Sequence, residues 1–164
     1  MRAFKKTMLA LGAAIIVATF VSSTFAATTV KVILWDKGAA TPMGTGMGYG
    51  MPLAAPSKAT MGVTATPATA AAGVVSFQVT NTSKDTVHEM ILVYLADPKQ
   101  PLTYSESDSK LVEDKIGYIG EVSELDPGKS GTLTKVLKPG EYLLICNVAG
   151  HFMAGMWTKF EVTK

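Results

Sequence analysis

The sequence has few of the residues from which disulfide frameworks and metal clusters are built, with one Cys and two His among 164 residues. A single Cys excludes an intramolecular disulfide, a multi-cysteine structural zinc site and an iron–sulfur cluster held by this chain alone. Charge of one sign is also scarce, because 15 Lys and Arg face 13 Asp and Glu. The resulting formal net charge of +2 gives no basis for a nucleic-acid partner. The length suits one domain with a hydrophobic core.

The N-terminus contains the one long apolar run of the sequence. Basic residues precede residues 8–21, which carry no charge, and this run is too short to cross a bilayer as an ordinary helix. Thr24 and Ala26 then supply the small residues of a cleavage site. We therefore predict that residues 1–26 are a Sec-type signal peptide that directs the protein to the periplasm. An uncleaved N-terminal anchor is the alternative.

The rest of the chain has the pattern of short β-strands. Segments rich in β-branched and alternating apolar residues recur, and turn residues separate them, as in Asp-Pro-Gly at 126–128 and Lys-Pro-Gly at 138–140. The predicted strands are 28–35, 61–66, 74–80, 86–95, 118–125, 132–137, 141–146 and 156–163. About eight strands at this spacing predict an all-β Greek-key sandwich. The polar stretch 97–117 is predicted to be a surface excursion.

Residues 38–58 differ in composition from the rest, because five Gly alternate with small residues and Met. So many Gly exclude the interior of a stable helix or strand. We therefore divide the chain after the signal peptide into residues 27–60, an N-terminal strand with a Gly/Met-rich loop, and residues 61–164, the main domain.

Three metal-ligand side chains share one predicted hairpin loop near the C-terminus. Cys146, His151 and Met156 follow one another with four residues between each pair, and His88 at the start of an earlier strand is the only other His. One thiolate, two imidazoles and one thioether are the donor set that favours copper, with His, His and Cys in a plane and Met as a weak axial ligand. Zinc accepts Cys and His but rarely Met, so we expect it as a competitor.

Each of these residues alone has an ordinary structural interpretation. A strand His is usually a satisfied polar residue, a lone Cys a small buried hydrophobe, and Met a core filler. Their joint occurrence favours a metal, which would also explain a free thiol in an oxidising compartment. A cysteine enzyme using Cys146 and a His needs a third orienting group and access for a substrate, which a loop that also serves Met156 hardly leaves.

At these residues the sequence resembles the cupredoxins, the small blue-copper proteins, over about residues 73–163. Gly-Glu-Tyr at 140–142 and Ala-Gly-Met at 154–156 are similar to plastocyanin-like sequences, whereas the longer Cys-to-His spacing is similar to azurin or rusticyanin. Residues 79–88 resemble the strand that presents the first His. The resemblance implies a cupredoxin-like sandwich with one type 1 copper ion. The ligands that it implies are His88, Cys146, His151 and Met156.

Two details of the implied site stay open. Met153 is a rival axial ligand, although Met156 reproduces the spacing of the family. Glu89 follows the first His where the family often has Asn, which leaves open how the Cys sulfur is hydrogen-bonded. An apolar rim around His151 is predicted to dock a partner, with ordinary loop packing as the alternative. Its residues would be Val148, Ala149, Phe152 and Met153.

The four-ligand set leaves no spare coordination position and has no catalytic pair near it, so we expect a periplasmic one-electron carrier and not an enzyme. We expect it to exchange electrons with redox partner proteins, to be a monomer and to have at most peripheral membrane contact. The alternative function is copper handling, that is, buffering or delivery of Cu(I). Met43, Met47 and Met51 recur every four residues in the Gly-rich loop and could capture Cu(I) through their thioethers. They could equally form an apolar flap, because Met adapts to uneven surfaces.

Overall fold

The computed structural model describes residues 27–51 and 59–164. The predicted signal peptide, residues 1–26, lies outside the described residues. The strands are β1 (Thr28–Asp36), β2 (Met61–Thr66), β3 (Thr69–Ala71), β4 (Gly73–Asn81), β5 (His88–Leu95), β6 (Tyr104–Ser105), β7 (Lys110–Leu111), β8 (Tyr118–Leu125), β9 (Ser130–Leu137), β10 (Gly140–Ile145) and β11 (Trp157–Thr163). A single 3₁₀ turn, Glu113–Lys115, interrupts the strands described. Within those same residues, no helix has the length and apolar character needed to cross a membrane.

Two larger sheets form a sandwich. The first has the strand order β2-β1-β4-β9, and the second has the order β3-β11-β10-β5-β8. Most neighbours are antiparallel, whereas β1 runs parallel to β4 and β11 runs parallel to β3. The predicted all-β Greek-key sandwich is confirmed, and the predicted long strands match the observed ones to within two residues.

The core between the sheets follows from alternation along the strands. In β1, Val30, Val32 and Leu34 are fully buried while the residues between them face outward. Phe77 of β4 meets Phe160 of β11 edge to face, with ring centroids 5.2 Å apart. Burying one such side chain contributes about 1.5–3 kcal/mol to stability. A period of two therefore fixes which face of each strand points inward.

The segment 97–117 is more than the surface excursion that its charges predict. It contains the β6–β7 hairpin and the 3₁₀ turn, and it buries Leu111 and Ile116. These side chains form a second apolar cluster with Ile91 and Val93 on the outer face of the second sheet. Strand β5 is consequently buried on both faces, which explains why its sequence is apolar almost throughout.

Strand β1 is an internal strand of the first sheet, because it lies between β2 and β4. The division between residues 27–60 and 61–164 remains a prediction, but residues 28–36 share one sheet with the strands that follow. The position of β1 matters for the site, because Asp36 at its end lies beside His88 at the start of β5.

Candidate metal centre

Three of the four predicted ligands meet at one end of the sandwich. His88 is the first residue of β5, Cys146 directly follows β10, and His151 lies in the loop that leads to β11. The Nδ1 atoms of His88 and His151 are 3.2 Å apart, and Cys146 Sγ is 3.4 Å from His151 Nδ1. One ligand atom from each residue lies within 4.8 Å of the other two. Donor atoms that share one ion at the usual Zn–N and Zn–S distances are about 3.3–4.0 Å apart, so the cluster fits a metal.

The cluster is buried, and burial shifts the pKa of each group. His88 and Cys146 are fully buried, and His151 is 5% exposed. Burial raises the pKa of the Cys146 thiol to about 12 and lowers the pKa of His151 to about 4. Burial also lowers the pKa of His88, against the opposing effect of its hydrogen bond to Asp36. Both imidazoles are therefore neutral near pH 7, which is the form that binds metals.

Glu89 takes part in the hydrogen bonding around the sulfur, which the sequence left open. Its backbone N–H points at Cys146 Sγ at 3.5 Å, and its carboxylate Oε1 accepts the backbone N–H of Asn147 at 3.0 Å. Burial raises the pKa of the Glu89 carboxyl to about 6. The residue thus links the start of β5 to the residue after the Cys, in the way that outer hydrogen bonds orient metal ligands.

Asn147 is a buried anchor that the sequence reasoning missed. Its side-chain amide accepts the Leu111 N–H at 2.7 Å and donates to the Leu111 carbonyl at 3.1 Å. It also donates to Glu113 Oε1 at 2.9 Å. These bonds fasten the 97–117 segment to the residue next to Cys146. The one sequence signal was a polar amide that directly follows an apolar strand and the Cys.

Asp36 is the second residue that was missed, and it contacts a predicted ligand directly. Its Oδ2 lies 2.7 Å from His88 Nε2, and both side chains are almost fully buried. Its Oδ1 accepts the Gly38 N–H at 2.6 Å. Because a carboxylate only accepts hydrogen bonds, His88 Nε2 carries the ring proton and Nδ1 faces the cluster with a free lone pair.

The fourth predicted ligand, Met156, belongs to the same loop and is fully buried. Its backbone N–H donates to the His151 carbonyl, and its carbonyl accepts the Cys146 N–H, both at 3.0 Å. Met156 packs in the core cluster that includes Cys146, whereas Met153 packs with the outer cluster around Phe152. This partition favours Met156 over Met153 as the residue that faces the centre.

Met47 and Tyr49 of the Gly/Met-rich loop pack over the ligand loop. Met47 donates its backbone N–H to the Met153 carbonyl at 2.9 Å, and its own carbonyl accepts the Trp157 Nε1–H at 2.8 Å. Tyr49 packs edge to face on Trp157 and donates its hydroxyl to the Pro98 carbonyl. The prediction of an exposed apolar rim is therefore wrong at Phe152, which is buried beneath this cover.

A cavity of about 220 Å³ leads from the surface to His151. Met43, which is 52% exposed, and Met61, which is buried, both line it together with Asp36. Of the three loop methionines, all of which the structure describes, Met43 lines this cavity and Met47 and Met51 do not. The three therefore do not form one cluster around the cavity.

Comparisons with known proteins agree with this geometry. A family model described as the Sulfocyanin (SoxE) domain matches residues 65–164. Auracyanin B is 23% identical with a TM-score of 0.52, over 87% of this chain and 94% of that chain. Rusticyanin from Thiobacillus ferrooxidans is 18% identical with a TM-score of 0.51, over 85% of this chain and 80% of that chain. At these identities the structural likeness shows the fold alone. No curated protein matches the sequence.

The family match covers more than half of the chain, including the whole His–Cys–His cluster. Rusticyanin and auracyanin are type 1 blue-copper cupredoxins, so the predicted resemblance is confirmed. Cupredoxins bind one type 1 copper ion, and the donor set of this cluster is consistent with that ion. The chain belongs to the sulfocyanin (SoxE) domain family and has the cupredoxin fold.

Proposed function

We propose that the protein is a periplasmic one-electron carrier. Cupredoxin relatives are electron carriers that act with redox partner proteins. The observation that carries the proposal is the convergence of the single Cys and both His of the chain in one buried cluster. Bound copper supplies the redox chemistry by alternating between Cu(II) and Cu(I). The residues that would hold it are His88, Cys146, His151 and Met156.

The surroundings of the cluster suit electron transfer better than chemistry on a substrate. Cys146 has no exposed surface, and the pKa of its thiol is raised to about 12, so it is a poor nucleophile for a cysteine enzyme. Two strand ends and a loop closed by backbone hydrogen bonds hold the donor atoms. Such a frame changes little when one electron moves. Relatives in this fold are electron-transfer proteins rather than enzymes.

The periplasmic location rests on the predicted signal peptide, residues 1–26. We expect the mature chain to begin at Ala27 and to appear in the periplasmic fraction of cells that express the full sequence. N-terminal sequencing of the purified protein tests this location independently of copper. A chain that retains Met1 and sediments with membranes would support the uncleaved anchor instead.

A visible spectrum tests the proposed cofactor and function. Purified protein loaded with Cu(II) should absorb intensely near the red end of the visible range, from charge transfer between the Cys146 thiolate and copper, and the colour should bleach on reduction. The Zn(II)-loaded protein is the colourless control. A Cu(II)-loaded protein without this absorption would overturn the proposal.

Copper handling is a second candidate, and the cavity beside His151 is the observation that favours it. Two thioethers, those of Met43 and Met61, line the cavity that opens toward a proposed ligand. Soft thioethers bind Cu(I), so this cavity could pass copper to or from the centre. Titration of Cu(I) into a Met43→Leu/Met61→Leu variant should show weaker or slower uptake than a Met51→Leu control. If both variants take up Cu(I) equally and electron exchange is fast, copper handling is contradicted and electron transfer remains as the proposed function.

A further inference from the structure

We propose that Asp36 is a positioning residue for the copper centre. Its carboxylate holds His88 in the tautomer that presents Nδ1 to the metal, and its negative charge lowers the reduction potential of the bound copper. This inference rests on the proposed function, because it assigns a role to a residue beside a proposed ligand.

The contact between Asp36 and His88 is short and shielded from water. His88 Nε2 and Asp36 Oδ2 are 2.7 Å apart, and the exposed fractions of the two side chains are 0% and 5%. A buried carboxylate is costly unless donors satisfy it, and the Gly38 N–H at 2.6 Å supplies a second hydrogen bond. The carboxylate is thus fixed from two sides and points at one atom of the ring.

The hydrogen bond decides which ring nitrogen is free. A neutral imidazole has one donor and one acceptor nitrogen, and a carboxylate can only accept. The proton therefore resides on Nε2, and the lone pair of Nδ1 faces the Nδ1 of His151 at 3.2 Å. Without the carboxylate, the two tautomers would compete, and part of the protein would present a protonated nitrogen to the metal. Partners of this kind orient metal-bound His in many sites.

The charge of Asp36 acts on the redox equilibrium. Reduction of Cu(II) to Cu(I) adds one electron and removes one positive charge from the metal, while the proton stays on Nε2. A carboxylate one imidazole away attracts the more positive ion more strongly, and burial limits the screening of this attraction. Asp36 therefore stabilises Cu(II) relative to Cu(I).

Three variants separate position from charge. Asp36→Asn removes the charge and leaves a single acceptor oxygen, for which the His88 Nε2–H and the Gly38 N–H compete, and Asp36→Leu removes the charge and every acceptor. Asp85→Asn is the matched control, because the Asp85 carboxylate is exposed and accepts the Ala39 N–H at 3.2 Å on the same loop without contacting an imidazole. We expect Asp36→Asn to raise the reduction potential and Asp85→Asn to leave it unchanged. Asp36→Leu should in addition weaken Cu(II) binding by about 10- to 100-fold.

A second measurement needs no copper. In ¹⁵N NMR spectra of the metal-free protein, His88 should be protonated at Nε2 in the wild type and should show mixed tautomers in Asp36→Leu. The spectrum of Asp36→Asn reports which of the two donors its single amide oxygen accepts. Equal potentials for Asp36→Asn and Asp85→Asn, or a wild-type His88 protonated at Nδ1, would overturn the inference. If Asp36→Leu does not fold, the Asp36→Asn potential and the wild-type tautomer still decide. A Cu(II)-loaded wild type without the red absorption would overturn the proposed function. The tautomer of His88 in the metal-free protein tests only the role of Asp36.

Discussion

The two imidazoles of the centre are held in different ways. His88 begins a strand, has no exposed surface, and hydrogen-bonds a buried carboxylate through its far nitrogen. His151 lies in a loop, where its backbone N–H donates to the Val148 carbonyl and its carbonyl accepts the N–H groups of Ala154 and Met156. Its ring borders a cavity that reaches the surface. From this comparison we expect the His88 side to influence the reduction potential of a bound metal and the His151 side to influence access to it.

Substitution of Cys146, whose sulfur lies in the cluster with both imidazoles, should have the largest effect on copper binding. Cys146→Ser removes the soft charged donor, so we expect loss of the intense visible absorption and a fall in copper affinity of more than about 100-fold. Absorption spectra and competition with a copper chelator measure both changes. Retention of the red absorption in Cys146→Ser would remove the basis for the whole comparison.

Substitution of the proposed axial ligand, Met156, tests how much the loop that carries His151 contributes to the reduction potential. Met156→Leu keeps the approximate volume of the side chain but removes a lone-pair donor. Loss of a donor destabilises the more highly charged Cu(II) more than Cu(I), so the reduction potential should rise. A change of about tenfold in the ratio of Cu(II) to Cu(I) affinities corresponds to about 59 mV for one electron. Voltammetry measures the shift, with Met153→Leu as the control. A fall in potential, or a larger effect of Met153→Leu, would count against Met156.

A charge introduced at the mouth of the cavity beside His151 tests whether electron transfer takes place there. Met43 lines the cavity beside His151 and is half exposed. Because this cavity leads from the surface to a proposed ligand, we expect a redox partner to approach there, and Met43→Lys places a charge at that point. Repulsion between two copies should slow electron self-exchange by roughly 3- to 10-fold at low salt, and added salt should restore the rate. Val136→Lys adds the same charge on an exposed residue of β9 as a control. Equal slowing by both variants would contradict electron transfer through the cavity beside His151.

Substitutions in the contacts between Met47 and the ligand loop should have the smallest effect, a modest loss of stability. Trp157→Phe removes the hydrogen bond to the Met47 carbonyl and should lower the free energy of unfolding by about 1 kcal/mol. Hydrogen exchange of the Met47 amide, which bonds the Met153 carbonyl, should become faster. Trp35→Phe is the control, because its Nε1 bonds an exposed Thr64 hydroxyl. If both variants behaved alike, the cover would not depend on this hydrogen bond.

The sequence predicted the strands and the four candidate ligands for clear physical reasons. Alternation of apolar residues reports which face of a strand is buried, and a chain with one Cys and two His offers few ways to assemble a soft metal site. The resemblance around residues 140–156 added the spacing of the ligands. These signals are local or depend on rare residue types.

The remaining features depend on contacts between distant parts of the chain. Asp36 looks like any carboxylate at a strand end, and its partner lies 52 residues away. Asn147 is anchored to a segment 36 residues earlier, and Met47 to a Trp 110 residues later. The composition of the Gly-rich loop reports only its backbone freedom, so its packing over Phe152 could not be predicted from local pattern.

The placement of β1 sets a lower limit on the piece of this protein that can be transplanted or expressed by itself. A fragment cut to the matched residues 65–164 would contain every proposed copper ligand, yet it would lack β1, most of β2 and the carboxylate that contacts His88. The first sheet would be reduced to β4 and β9. Any engineered version of this centre must therefore carry residues 28–36 and the whole of β2, which the bounds of the family match alone would lead a designer to discard or truncate.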